Sequence, residues 1–484
     1  MEGQKNYTRA LKSMGLFGGV QGLNILLSVV RNKIAAQLIG TVGFGLVDLY
    51  NRTLELLSNT TNLGLPFSSI RKISEFYGQG DTVRLHETIF VVRMWTLLTA
   101  LAGLLCCLAL SPLLSLWLFN DTSHATSLCL LSPIVACLTF CGGEMAILKG
   151  LRQVRRIATI SLSGAFATLF IVIPCYYVGG RDGIIPALLL CSLTLFAIQF
   201  IHGNNVHPWS RISFSPVFLK RGIDMIKLGG AYTIAGITTT GAEVFIRTFI
   251  HNSGSIADVG LYAAAFTLCV TYSRIVFVAM DADYFPRLSA CNTDRQKTNK
   301  LINDQINVCT LLMAPALCLF LIFLPLIIRI LYTQEFTVSA TMAMYASLYI
   351  FFKAMTMPIA YLSLAKGDSA IYFWMELIYA VFFILAVVTG YSLYGLTGAG
   401  WALSASNLFD LCLIYTCFRR KYGFRFERTT LLRSAIQFVL VSGTLTALAC
   451  GNGNGKYLPA VVCTILSAAL SAICFRKELV LRKR

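Results

Sequence analysis

Asp48, Arg52, Glu55, Asn59 and Asn62 recur at spacings of three and four in a stretch that is otherwise apolar. At about 100° per residue they share one narrow face of a helix. Arg31 and Lys33 stand in the apolar segment before it, and Arg247 and Arg274 in two later ones. An ionised group in lipid costs about 2.5 kcal/mol or more, so it usually faces a protein interior or a watery path. Arginine in such a place suits a phosphate, because its planar fork binds oxyanions through two parallel hydrogen bonds. Carboxylates there suit a proton or a cation. The competing reading is that these charges snorkel or pair for packing. Arg31 and Arg247 lie a few turns from the outer surface, and Arg93 near the inner end of its helix, where snorkelling is expected. Lys353 lies near the middle of its own segment, and Glu144, Glu376 and Asp410 are expected to pair with basic residues.

Arg31 shares a face with Asn24 and Ser28, Arg247 with Glu243 and Thr240, and Arg274 with Thr267. The candidate substrate-binding residues are therefore Arg31, Arg52, Arg247, Arg274, Asn24, Asp48, Glu55, Asn59 and Glu243. Asp48, Glu55 and Glu243 are also candidates for ion coupling. Nothing points to an enzyme. There is no G-x-x-x-x-G-K-[ST] loop, no HExxH and no plausible triad, and almost every loop is too short for catalytic groups. The five histidines fall mostly in or near loops and read as solvated. The sixteen cysteines sit almost all in apolar stretches, without a CxxC pair, and read as small hydrophobes. No cofactor or metal is expected.

The elements that must position these charges are membrane helices. The 484 residues are 56% hydrophobic and 13% charged, against about 25% charged in a soluble domain. Fourteen apolar segments, each about long enough to span, begin near residues 15, 43, 88, 127, 157, 184, 226, 258, 304, 338, 370, 397, 432 and 457. A short Gly-rich turn, Gly40 to Gly45, joins the first two. The first run, from Met14, has no cleavage site and reads as a spanning helix, not a signal peptide. With the N-terminus inside, thirty Lys and Arg fall on the cytoplasmic side, three on the other and seven within helices. That asymmetry is the positive-inside rule, with both termini cytoplasmic. The net charge of +18 is spread over short loops, which argues against a nucleic-acid partner.

The chain also repeats itself. Arg31 and Arg247, Gly45 and Gly260, Pro112 and Pro325, Lys149-Gly150 and Lys366-Gly367, and Gly183 and Gly398 recur at offsets of 213 to 217 residues. This reads as a duplication of six helices. The expected organisation is an N-lobe at 1–203, a cytoplasmic linker at 204–227 that could carry an amphipathic helix, and a C-lobe at 228–420. A last helix pair with a basic tail follows at 421–484. Helices one, two, seven and eight, the first two of each repeat, each offer a polar face.

Gly22-Leu23-Asn24 through Arg31-Asn32-Lys33 to Gly43-Phe44-Gly45, and Asn62-Leu63-Gly64-Leu65-Pro66 leading into Arg71-Lys72, resemble the polysaccharide/O-antigen flippase branch of the multidrug/oligosaccharidyl-lipid/polysaccharide exporter superfamily. The resemblance covers about residues 10–420. It implies an all-α membrane protein of two six-helix lobes forming a V, plus two extra helices, working by alternating access in the bacterial inner membrane. It implies transport of an undecaprenyl-diphosphate-linked glycan, an O-antigen or other surface polysaccharide unit, with the prenyl tail left among membrane lipid. Partners would be a polysaccharide polymerase and glycosyltransferases. Arg31, Arg52, Arg247 and Arg274 are carried over as basic cavity positions. Fourteen helices rather than twelve also fit a lipid II-type flippase, and a cation-coupled multidrug exporter on the same fold remains open. A membrane-embedded glycan polymerase fits less well, since the large outer loop it would need is absent.

Overall fold

The computed structural model describes residues 2–209, 216–273, 277, 284–285, 287–291, 294–451 and 453–483. Among them every regular element is a helix. They fall into two compact units, residues 1–260 and 261–484.

The first unit holds α1 (Glu2–Thr61), α2 (Leu65–Gln79), α3 (Thr82–Phe119), α4 (Ala125–Gly150), α5 (Val154–Gly179), α6 (Ile184–Val206) and α7 (Pro216–Ser253), and ends within α8 (Ile256–Phe266). α1 is two expected spans in one. It breaks at Gly40, whose φ of 65° and ψ of −168° suit only glycine. Before the break, Asn24 bonds Ser161 and Arg31 lies within electrostatic reach of Tyr176, so this half runs with α5. After it, Tyr50 meets His124 and Ser58 meets Thr139, so this half runs with α4. α4 and α5 are consecutive spans joined by three residues, so the chain reverses at Gly40. The turn expected over Gly40 to Gly45 thus shrinks to one residue, and Gly43 and Gly45 are helical. Gly45 has another task. A Cβ on it would lie 2.2 Å from the Ile256 carbonyl oxygen, and one on Gly260 would lie 2.1 Å from that of Thr41. Two glycines related by the repeat thus let α1 and α8 cross in backbone contact.

α2 is a surface helix that hydropathy does not announce. Leu65 and Ile73 on it join Ile89, Val92, Ile147 and Met225 in a small core, held against α3, α4 and α7. The linker expected to carry such a helix has residues 210–215 outside the described set, and α7 begins at Pro216. The repeat counts α7 with the second half, yet it packs on α1, α2 and α3. Arg93 does not snorkel. It is 5% exposed, grips Glu144 at 2.8 and 3.1 Å, donates to the carbonyls of Gly203 and His207, and lies under the Trp209 ring. A carboxylate on the facing helix makes burial cheaper than reaching for water. Glu144 thus meets the basic partner expected for it.

The second unit continues α8 through a π-turn (Thr267–Thr271) and holds α9 (Arg295–Leu331), α10 (Ser339–Ala346), α11 (Leu348–Ala365), α12 (Ser369–Lys421), α13 (Arg428–Cys450) and α14 (Tyr457–Lys483). α12 is again two spans, broken at Tyr394 and Gly395. With both breaks counted, the fourteen apolar segments map onto helices wherever their residues are described. The last helix pair is tied on by a polar ladder at every fourth residue of α9. Arg295 donates to the Gly423 carbonyl, Asn299 accepts from the Arg425 amide, Asn303 bonds the backbone of Arg425 and Glu427, and Asn307 bonds Thr430. Asp410 meets a basic partner, as expected for it: Lys353, at 3.7 Å between α11 and α12.

Candidate functional site: a buried ion-pair network

Two helices of the first unit bring five charges together. After its reversal α1 presents Asp48, Arg52 and Glu55, and α7 presents Glu243 and Arg247 one turn apart. Arg52 bonds Glu55 through Nη1 at 3.1 Å, reaches Glu243 Oε2 with the same nitrogen at 3.3 Å, and holds Asp48 more loosely at 3.9 Å. Arg247 donates to Asp48 through Nε, and its Nη1 donates to the Glu243 carbonyl at 3.0 Å and lies 3.6 Å from that residue's carboxylate. Asp48 and Glu243 are thus each shared by both arginines.

Exposure rises along the network. The Arg247 side chain is fully buried, Glu243 and Asp48 are 16% and 18% exposed, Arg52 25% and Glu55 47%. One end lies open while the other is sealed. Three carboxylates face two guanidiniums, so the formal charge is −1. Pairing lowers the cost of burying each charge without leaving an arginine idle. A phosphate oxyanion arriving here would meet two guanidinium forks already loaded with carboxylates and would have to displace one. A proton or small cation would meet a carboxylate in excess.

The other candidates lie apart. Asn24 donates to Ser161 on α5 at 2.7 Å. Arg31 is half-buried beside Tyr176 and Cys191, so the two arginines matched by the repeat have different surroundings. Asn59 is half-buried one turn beyond Glu55. Arg274 lies outside the described residues. No group of three His, Cys, Asp or Glu suited to a metal occurs among the described residues.

An aromatic cap above the network escaped the sequence reading. His124, just before α4, stacks on Phe119 at 4.0 Å and hydrogen-bonds the Tyr50 hydroxyl at 2.8 Å; His251, one turn beyond Arg247, meets the edge of the same Phe119. His124 is therefore packed, not solvated, and burial lowers its pKa against the pull of Asp121. Near the other end of the unit His207 bonds His86, and burial, His86 and Arg93 together lower its pKa. The available signal was position: these histidines end or adjoin apolar segments beside aromatic residues.

The sequence from residue 34 to 341 matches the family model described as polysaccharide biosynthesis protein. The chain is a member of the polysaccharide biosynthesis protein family. All five network residues of this family member lie inside the matched span, whereas Asn24 and Arg31 precede it. No curated protein matches the sequence. Solved structures do match the fold. The lipid II flippase MurJ in an inward closed conformation aligns with a TM-score of 0.70 and 14% identity, over 96% of this chain and 99% of that one. A multidrug resistance MATE family transporter of the MOP superfamily, facing inward, aligns with a TM-score of 0.66 and 14% identity, over 83% and 94%. A MOP superfamily transporter from Pyrococcus furiosus, noted for reversed polarity of its binding pocket, aligns with a TM-score of 0.59 and 14% identity, over 85% and 94%. At such identity the likeness speaks for the fold alone. Family and fold together describe an all-helical, multi-pass membrane protein with the fold that those transporters share.

Proposed function

We propose that the protein is a flippase for a polyprenyl-diphosphate-linked oligosaccharide, an O-antigen or other surface polysaccharide unit. It would work from the cytoplasmic to the outer leaflet of a bacterial inner membrane, with both termini cytoplasmic. The observation that carries the reading is the network: two arginines held inside a membrane protein by carboxylates that a diphosphate can replace. A diphosphate carries more charge than either carboxylate and offers oxygens to both forks. Arrival of the head group would release Asp48 or Glu243, and departure would restore the pairs, so neither state leaves a buried guanidinium bare. An inside-negative potential favours the outward movement of an anion by about 2.3 kcal/mol per charge per 100 mV. Membership of a polysaccharide biosynthesis family supports this cargo class, and the likeness to MurJ supports a lipid-linked cargo, a lipid II-type precursor included. Polysaccharide polymerase and glycosyltransferases are the expected partners. The test is deletion of the gene: undecaprenyl-linked glycan should accumulate on the cytoplasmic side, and unchanged glycan would refute the reading.

One observation favours a second reading. The carboxylates outnumber the arginines three to two in the network, as a cation-coupled drug exporter would require. That reading expects proton- or sodium-dependent efflux of organic cations and no glycan phenotype, so the same deletion strain separates the two.

A further inference from the structure

A second polar site lies in the first unit, at the end where the basic loops gather. Three helices each turn one face toward a cleft of about 330 Å³. α2 contributes Lys72, Glu75 and Phe76, α3 contributes Arg84, Glu87, Thr88 and Val91, and α7 contributes Arg221 and Met225. Val91 and Met225, each 2% exposed, form an apolar floor, and the charged residues form the rim. Ligand pockets run from about 300 to 1,000 Å³, so the cleft suits a head group rather than a long chain.

Its charge separates it from the network. Three cations face two carboxylates, a formal +1, against −1 for the network. Arg221 is paired with Glu87, and Arg84 leans on Asp81 at 3.4 Å. Lys72 is half-buried and has no ion-pair partner among the described residues. Outside the cleft lining, α2 and the start of α3 also carry exposed apolar side chains: Phe67, Tyr77 and Val83 are 44%, 45% and 68% exposed. Aromatic and aliphatic side chains beside lysine and arginine at the end of a membrane helix mark the level of the lipid head groups.

We infer that this cleft is a loading site for an organic diphosphate at the membrane surface, held by Lys72, Arg84 and Arg221 before it reaches the buried arginines. The cleft's place at the start of the membrane helix α3, beside exposed apolar side chains, favours a diphosphate carried on a prenyl chain over a soluble nucleotide. Only that role in loading rests on the flippase reading; the affinity for a diphosphate does not.

The test uses the full chain in phosphatidylcholine nanodiscs, with farnesyl diphosphate, uridine diphosphate and phosphatidylglycerol as probes. Farnesyl diphosphate should bind and slow hydrogen exchange over residues 72–91. Lys72→Gln and Arg84→Gln should each weaken binding about tenfold, as loss of a charge-assisted hydrogen bond does. Glu75→Gln should tighten it, a gain that misfolding cannot imitate. The protection should persist in Arg52→Gln, which removes only a network arginine. Binding of uridine diphosphate with equal affinity would assign the site to a soluble diphosphate. The inference fails if the Lys72→Gln/Arg84→Gln variant binds like the wild type, if protection falls elsewhere, or if phosphatidylglycerol competes as well as farnesyl diphosphate. A deletion strain with normal glycan would remove the flippase reading and leave this affinity series standing.

Discussion

Arg247 is the member of the network with most to lose. Its side chain is fully buried, and its Nε rests on Asp48. Replacing Asp48 by Asn keeps the shape and removes the charge. Arg247 then keeps the Glu243 backbone carbonyl at 3.0 Å and a carboxylate at 3.6 Å, already shared with Arg52. Stripping one partner from a fully buried pair costs about 3–5 kcal/mol. Asp48 is 18% exposed and Glu243 remains, so the expected loss is smaller, about 2–3 kcal/mol. Glu55 is 47% exposed, and Glu55→Gln should cost less than about 1 kcal/mol. The assay is reversible unfolding in detergent, read as a four-member cycle of wild type, Asp48→Asn, Arg247→Gln and the double variant. The double variant should be more stable than the two single losses predict, by about 1–3 kcal/mol of coupling. Additive losses, or an Asp48→Asn protein as stable as the wild type, would show that Arg247 does not depend on Asp48 and would refute the network as drawn.

Arg52→Lys should lose most glycan export despite keeping its charge, because an ammonium cannot grip an oxyanion in two places; export at the wild-type level would show that charge alone suffices. Arg93→Ala should cost about 3–5 kcal/mol by leaving Glu144 buried and bare, and changing Glu144 to Gln as well should recover part of it in the same unfolding assay. His124 has a lowered pKa when folded, so the unfolded chain binds the proton more tightly, and stability should fall as pH drops through and below the ordinary value of 6.5. The pH slope of unfolding should shrink in His124→Gln, and an unchanged slope would mean that His124 titrates as if solvated. Cysteines placed at Ser123 and Gly455 in a Cys-depleted background should react with an impermeant reagent in intact spheroplasts, while one at Gln153 should not; the opposite pattern would invert the topology.

The spans were legible because a run of apolar residues long enough to cross lipid carries its own evidence. The reversal at Gly40 was legible only in part. Three glycines crowd Gly40 to Gly45, and nothing in the sequence says which one turns and which lets another helix approach. The α1 half of the network could be read from the spacing of Asp48, Arg52 and Glu55. Its α7 half, Glu243 and Arg247, could be read from the same kind of spacing, but the joining of the halves could not, because Glu243 reaches Arg52 only through a packing that joins residues nearly two hundred positions apart. The same limit explains Arg93, whose burial depends on a glutamate 51 residues away. The ladder on α9 was there to be read: Asn299, Asn303 and Asn307 recur every fourth residue at the start of a long helix, a spacing that marks a polar face. What they hold is the backbone of residues 425 to 427 and the Thr430 hydroxyl, which leaves no mark on sequence pattern.

The network also gives α7 a particular place in the proposed cycle. By sequence it opens the second repeat; by packing it belongs with α1, α2 and α3. Two ionic contacts cross between α7 and α1: Arg247 with Asp48, and Glu243 with Arg52. A diphosphate that takes over either fork weakens this tie, because the displaced carboxylate then has no cation across the interface. The remaining bond of Arg247 to the Glu243 carbonyl lies within α7 and holds nothing together. Ligand binding and the hold of α1 on α7 therefore draw on the same two guanidiniums. On the flippase reading this competition is what couples the head group to movement of α7. A cation satisfying the excess carboxylate would act in the opposite sense, leaving both forks in place and the two helices joined.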